Sequence, residues 1–286
     1  MEAMRVKVLG TAAGGGFPQW NCRCSNCRRF REGAFAGPAR TEAQVALSAD
    51  GVSWHLLNAS PDLRAQIEAE PALHPARGLR HSPIASVVLT SADIDQALGL
   101  LLLREWHSFE VYATPAVRRT LLDRNAMFQA LQRVPGQVSW IDIMPCEPFE
   151  PARSGITVTA IPAAGEAVSA LIVRHAGGAL AYIPGAPSAP DAWLEWLDSC
   201  DLVFFDGTFW SDDELIRIHG GGRTAREIGH LPVPAAIERL ARLKHPRKFF
   251  IHVNNTNPML DEDGPERRQV RAAGWELASD GMEFAI

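Results

Sequence analysis

Four apolar runs in this chain of 286 residues stop abruptly at polar side chains: "WHLLNAS", "IASVVLTSADID", "LVFFDGT" and "RKFFIHVNN". Short continuous apolar runs rich in β-branched and aromatic residues read as strands buried on both faces, and such strands need helices or another sheet to cover them. A carboxylate or an imidazole is costly inside such a layer, so it belongs at the strand end, where side chains converge on a cleft. Residues 58–62, 91–95, 206–208 and 252–255 are therefore the candidate site.

The remaining pattern fits this frame. "MRVKVLG" alternates as a first strand and runs into the turn-rich "TAAGGGFPQWNCRCSNC". "AQVALSA" and "WHLLNAS" lie a hairpin apart across "DG", so the front of the chain is expected to be antiparallel. "SPDLRAQIEAE", "DQALGLLLLRE" and "AVRRTLLDRNAMFQAL" have helical periodicity, and "EVYATP" reads as a short strand. "GITVTAIPA", "SALIVRHA" and "GALAYIPGA" predict a second meander. "DAWLEWLDSC" and "VPAAIERLARL" each place a helix before an apolar strand, and "GWELASDGMEFAI" predicts a closing hairpin. The fold class is α/β, with two sheets packed together and helices outside. No linker or solenoid period divides residues 1–286, so a single domain is expected.

With 47% hydrophobic residues the chain can build a full core. Its 28 basic and 33 acidic residues leave a formal charge of −5 with no long basic block, which argues against a nucleic-acid partner. No apolar run is long enough to span a membrane, and residues 1–7 lack the pattern of a signal peptide, so a cytoplasmic location is expected.

"NCRCSNC" places Cys22, Cys24 and Cys27 within reach of one ion, and soft thiolates favour Zn²⁺ in a tetrahedral set whose fourth ligand comes from elsewhere. Cys146 and Cys200 stand alone and read as buried. Glycines 14–16 allow a close backbone approach, but the lysine and hydroxyl residue of a P-loop do not follow them. Asp93 and Asp95 read either as metal ligands or as helix-capping carboxylates. His230, in "EIGHLP", reads equally as a helix-end imidazole or an active-site one. His55, His81, His107, His175, His219 and His245 carry no partner pattern.

"TSADIDQ" resembles the strand-end metal loop THxHxDH of the metallo-β-lactamase superfamily. Ser91 and Asp93 stand at its first two histidines, Asp95 at its aspartate and Gln96 at its last histidine. Together with "LGTAAGGGFPQWNCRCSNC", "LLNASPDLRAQI", "GLRHSPIASVVLT", "LAYIPG", "LVFFDGTFW", "IGHLP" and "FIHVNNTNP", the chain from Val6 almost to Ile286 resembles the coenzyme PQQ synthesis protein B family of that superfamily.

The resemblance implies a metallo-β-lactamase-like four-layered αββα sandwich, a structural zinc at Cys22, Cys24 and Cys27, and an Fe(II)-dependent oxygenase. Its substrate would be a tyrosine-bearing diamino acid derived from a precursor peptide, hydroxylated on the ring with dioxygen. Asp93, Asp95, Asp206 and His252 match active-site metal positions, and Asn255 or His252 would complete the zinc. Gln96 replaces a histidine and offers only a neutral carbonyl oxygen. Asp93, Asp95 and His252 could make a facial iron set. His230, with Asp206, would position substrate or move protons. The alternatives are a non-catalytic binding or carrier protein for a PQQ-type intermediate, with a degraded metal site, and a hydrolase or phosphodiesterase. Expected partners are the small-molecule or short peptide-derived substrate and dioxygen, without nucleic acid or membrane; a homodimer is left open.

Overall fold

The computed structural model describes residues 2–105, 107–165 and 168–286. Its strands, in chain order, are β1 Arg5–Gly10, β2 Gln44–Ser48, β3 Trp54–Leu57, β4 Ile84–Val88, β5 Phe109–Ala113, β6 Val138–Asp142 and β7 Pro148–Phe149. They continue with β8 Thr157–Ala164, β9 Val168–His175, β10 Gly178–Ile183, β11 Leu202–Asp206, β12 Arg247–Ile251, β13 Trp275–Leu277 and β14 Glu283–Ala285. The chain forms two compact units: residues 1–10, 44–179 and 281–286, and residues 11–43 and 180–280. Each is discontinuous in sequence, which is why no linker is legible in it.

In the first unit the strands pair in the order β14-β1-β2-β3-β4-β5-β6. The predicted antiparallel start is present, with β1 against β2 and β2 against β3. The Asp50–Gly51 turn closes the second pair: Gly51 sits at φ +71°, and Asp50 Oδ1 accepts from the N–H groups of Val52 and Ser53 at 2.8 Å each. From β3 to β6 the pairing is parallel, and the connecting segments carry the helices Leu63–Ala69 and Pro115–Leu122. Trp54, Leu56, Leu63, Ile84, Val87, Leu100 and Val111 form the buried cluster between these elements. Full burial of one such side chain stabilises by roughly 1.5–3 kcal/mol.

Three local expectations are corrected. The helix read over "DQALGLLLLRE" is α-helical only at Ile94–Ala97 and tightens to a 3₁₀ helix at Leu98–Arg104. Gly99 donates its N–H to Ala59 O at 2.9 Å, and a Cβ on Gly99 would lie 2.4 Å from Ser60 O. Close docking on that backbone takes the amide that an α-helix would need. The closing hairpin is not formed, because β13 runs parallel to β12 and β14 antiparallel to β1. Cys146 is exposed at a turn with φ +63°, whereas Cys200 is buried as read.

In the second unit β10, β11, β12 and β13 are all parallel. The helices Asp191–Asp198, Glu214–His219 and Val233–Arg239 lie in the connections. Phe204, Phe205, Phe249, Phe250 and Trp275 fill its core, with Phe250 and Trp275 stacked at 4.4 Å. Parallel pairing puts every carboxyl end on one edge, the edge where α/β sheets bind ligands. The register pairs Ile183 with Phe205 and Asp206 with Ile251, so Asp206 and His252 leave their strands side by side. Among the described residues no helix is long and apolar enough to cross a membrane.

Candidate metal centres

Cys22, Cys24 and Cys27 converge as their spacing predicted, with the three sulfurs within 4.8 Å of one another. Cys24 caps the helix Ser25–Arg31 and Cys27 lies in its first turn, so the helix start fixes two of the three. Asn255 is also present: its Nδ2 is 3.3 Å from Cys27 Sγ and 3.6 Å from Cys24 Sγ. Of the two residues proposed to complete this set, Asn255 meets the sulfurs, whereas His252 belongs to a second group. Burial, with the Cys22 and Cys27 sulfurs beside it, pushes the Cys24 thiol up to about 12. Three sulfurs so placed form a soft donor set that fits zinc.

The second group is Asp206, His230 and His252, one potential ligand atom from each lying within 4.8 Å of the others. Asp206, fully buried, ends β11. Its Oδ2 accepts from His230 Nδ1 at 2.8 Å and from Ala186 N at 3.1 Å, and its Oδ1 accepts from Thr208 N at 3.0 Å and Thr208 Oγ1 at 2.6 Å. Thr208 Oγ1 also lies 2.8 Å from His252 Nδ1. The hydroxyl has one proton, and a carboxylate oxygen 2.6 Å away requires it; the hydroxyl therefore accepts from His252 Nδ1–H. The same accounting makes His230 Nδ1 the donor to Asp206. Both imidazoles thus carry a proton on Nδ1, the tautomer of a ligating histidine steadied from behind.

Packing holds the group rigid. The His230 and His252 rings stack at 5.5 Å, and Phe209 meets the His230 ring edge-on at 5.7 Å. His252 adopts φ +59°, a left-handed conformation that a non-glycine residue rarely takes and that surrounding contacts must sustain. Gly207 lets β11 approach β12, since a Cβ there would lie 2.8 Å from Phe250 Cβ.

The strand-end loop of the first unit has another character. Gln96 is buried, and its Oε1 accepts from Asn58 Nδ2 at 2.9 Å and from the Thr90 hydroxyl. Asn58 Oδ1 in turn accepts from Thr90 N at 2.8 Å. Gln96 here knits the end of β3 to the end of β4 through these two donors. Asp93 is the exposed N-cap residue of the short helix Ile94–Ala97, without a side-chain cap bond, and its Oδ2 accepts from Ser91 Oγ at 2.8 Å. Asp95 is half-buried in the first helical turn. Among the described residues neither Asp93 nor Asp95 belongs to a group of three potential ligands.

Sequence reading missed Thr208 and Ala186 as partners of Asp206. "DGT" carries a faint signal, since threonine after a strand-end aspartate can close an Asx-type turn. Ala186 acts through its backbone and has no side-chain signal.

Residues 53–253 match the model of the β-lactamase superfamily domain. The chain is 43% identical to coenzyme PQQ synthesis protein B of Gluconacetobacter diazotrophicus, over 97% of this chain and 98% of the relative. It is 42% identical to the protein of that name from Stutzerimonas stutzeri, over 99% and 100%. The crystal structure of Zn²⁺-bound PqqB from Methylobacterium extorquens superposes with a TM-score of 0.91 at 41% identity, covering 99% of this chain and 100% of that one. The fold is that of the metallo-β-lactamase superfamily, as its motifs led one to expect.

Proposed function

The chain belongs to the coenzyme PQQ synthesis protein B family, and from that premise we propose that it is an Fe(II)- and dioxygen-dependent hydroxylase. Its substrate is the tyrosine-derived ring of a peptide-derived diamino acid, and it acts in the cytoplasm. The observation that carries this reading is the convergence of Asp206, His230 and His252, two imidazoles and a carboxylate, the donor types that hold non-haem iron; Asp206 would exchange one of its four hydrogen bonds for the ion. Iron bound there would supply activation of dioxygen. Asp206 keeps the His230 proton on Nδ1, and Thr208 does the same for His252, which leaves Nε2 of each ring as the nitrogen that would meet an ion. Phe209 and the stacked rings keep bulk water from the face of His230.

The second metal of the proposal is a structural Zn²⁺ on Cys22, Cys24 and Cys27, supported by the sulfur geometry and by the zinc found in the M. extorquens relative. The test is anaerobic loading with Fe(II), metal analysis, and oxygen uptake with a tyrosine-like substrate. The expected result is an iron-dependent uptake that Asp206→Ala abolishes. Asp95→Ala, made in parallel, reports whether the first-unit loop contributes. Uptake that persists in Asp206→Ala rejects the proposal.

One observation favours a second reading, a non-catalytic protein that binds a PQQ-type intermediate. Gln96 replaces a metal-loop histidine, and its carbonyl is tied to Asn58 and Thr90. That reading predicts ligand affinity with zinc alone and no turnover.

A further inference from the structure

The two groups of potential ligands in the second unit share one loop. His252 opens it and Asn255, beside the cysteine sulfurs, lies three residues on. We infer that Asn26 and Asn257 are positioning residues through which occupancy of the cysteine site sets the orientation of His252. The inference rests on the zinc reading of the cysteine loop.

Asn26 is buried in the helix that carries Cys27, and its Nδ2 donates to Asn255 O at 3.1 Å and to Asn257 O at 2.9 Å. Asn257, fully buried, passes the constraint on: its Nδ2 donates to Gly207 O at 2.9 Å and to Thr208 O at 3.3 Å. Asn254 N donates to the same Thr208 carbonyl at 3.1 Å. Thr208 is the residue whose hydroxyl receives His252 Nδ1. The path therefore runs from the cysteine helix, through two amide side chains, into the backbone that aims this hydroxyl.

The side-chain links are buried hydrogen bonds, where a carbonyl left without its donor finds no water to replace it, so a shift of the cysteine helix is passed along them. His252 sits at φ +59° and depends on such outside support. When a cation draws the three sulfurs together, it fixes the helix start that holds Asn26, and with it the far end of the His252 loop.

The test needs no iron and no substrate. Metal-stripped protein receives one equivalent of Zn²⁺ while the ring nitrogens of His252, assigned with His252→Gln, are followed by NMR; zinc affinity is measured by competition with a chromophoric chelator. In the parent, zinc is expected to shift and sharpen the His252 signals. In Asn26→Leu, which keeps the volume and removes the donor, zinc affinity is expected to fall by about tenfold while the His252 response is lost. Asn26→Ser, with a hydroxyl donor, is expected to recover part of the response and guards against a variant that does not fold. A His252 signal that zinc does not move, or moves equally in Asn26→Leu, overturns the inference. Response that survives in the Cys22→Ser/Cys24→Ser/Cys27→Ser triple variant overturns it too, because zinc is then binding His252 directly. Absence of zinc from the cysteine loop in the parent removes the zinc reading and this inference with it.

Discussion

His230 Nδ1 lies 2.8 Å from Asp206 Oδ2, across 24 residues of sequence, and the carboxylate it faces is wholly buried. An isolated buried carboxylate is unstable as an anion; this one has four donors, two from backbone amides, one from a hydroxyl and one from an imidazole. The pair is thus a fixed acceptor that decides where the imidazole proton sits.

Asp206→Asn is expected to destabilise the fold by about 2–3 kcal/mol, because an amide NH₂ must face at least one N–H group with no acceptor between them. Urea unfolding of the metal-free proteins measures it. An unchanged midpoint would mean that the four contacts do not persist in solution.

Cys27→Ser should retain less zinc than Cys22→Ser after dialysis against a mild chelator. Cys27 is fully buried on the helix and touched by Asn255, whereas Cys22 is half-exposed in the loop. Metal analysis per chain reads the difference; equal retention would place the anchoring sulfur elsewhere.

Burial drives the His55 imidazole down to about 4 from its ordinary 6.5, and Asp50 and Glu110 oppose the shift only partly. The folded value lies below the unfolded one, so between the two the unfolded chain binds the extra proton and stability falls as pH falls. The loss begins near pH 6.5, is complete below about pH 4, and amounts to about 3 kcal/mol. His55→Gln should flatten that part of the profile in unfolding free energy against pH. Parallel profiles in parent and variant would contradict the assignment.

Gln96→Leu should cost about 1–3 kcal/mol, since Asn58 Nδ2 loses a buried acceptor, while the Thr90 hydroxyl turns to Asn58 Oδ1 at 3.0 Å. Chemical denaturation checks this, and a neutral result would show that water replaces the carbonyl.

Gly99→Ala should lower stability by about 1–3 kcal/mol, because its Cβ meets backbone, Ser60 O at 2.4 Å and Ala59 C at 2.9 Å, which cannot rotate away. Thermal unfolding decides it; a stability gain would mean that the 3₁₀ segment lifts from residues 59–60 at little cost.

Local features are legible in the order of the residues alone. Cysteine spacing over six positions placed three sulfurs together, and uninterrupted apolar runs placed β4, β11 and β12 with polar groups at their ends. Only the tertiary structure decided which polar ends meet. His230, equally a helix-end residue in the sequence, joins Asp206 because the chain after Gly229 returns beside β11. Thr208 reaches His252 across 44 residues because β11 and β12 pair in parallel register. Gln96, which the resemblance sets at a metal position, accepts from Asn58 and Thr90 across the ends of β3 and β4. The physical reason is one of range: spacing encodes contacts within a turn or a loop, whereas hydrogen-bond partners set by strand register are fixed only when the sheet forms.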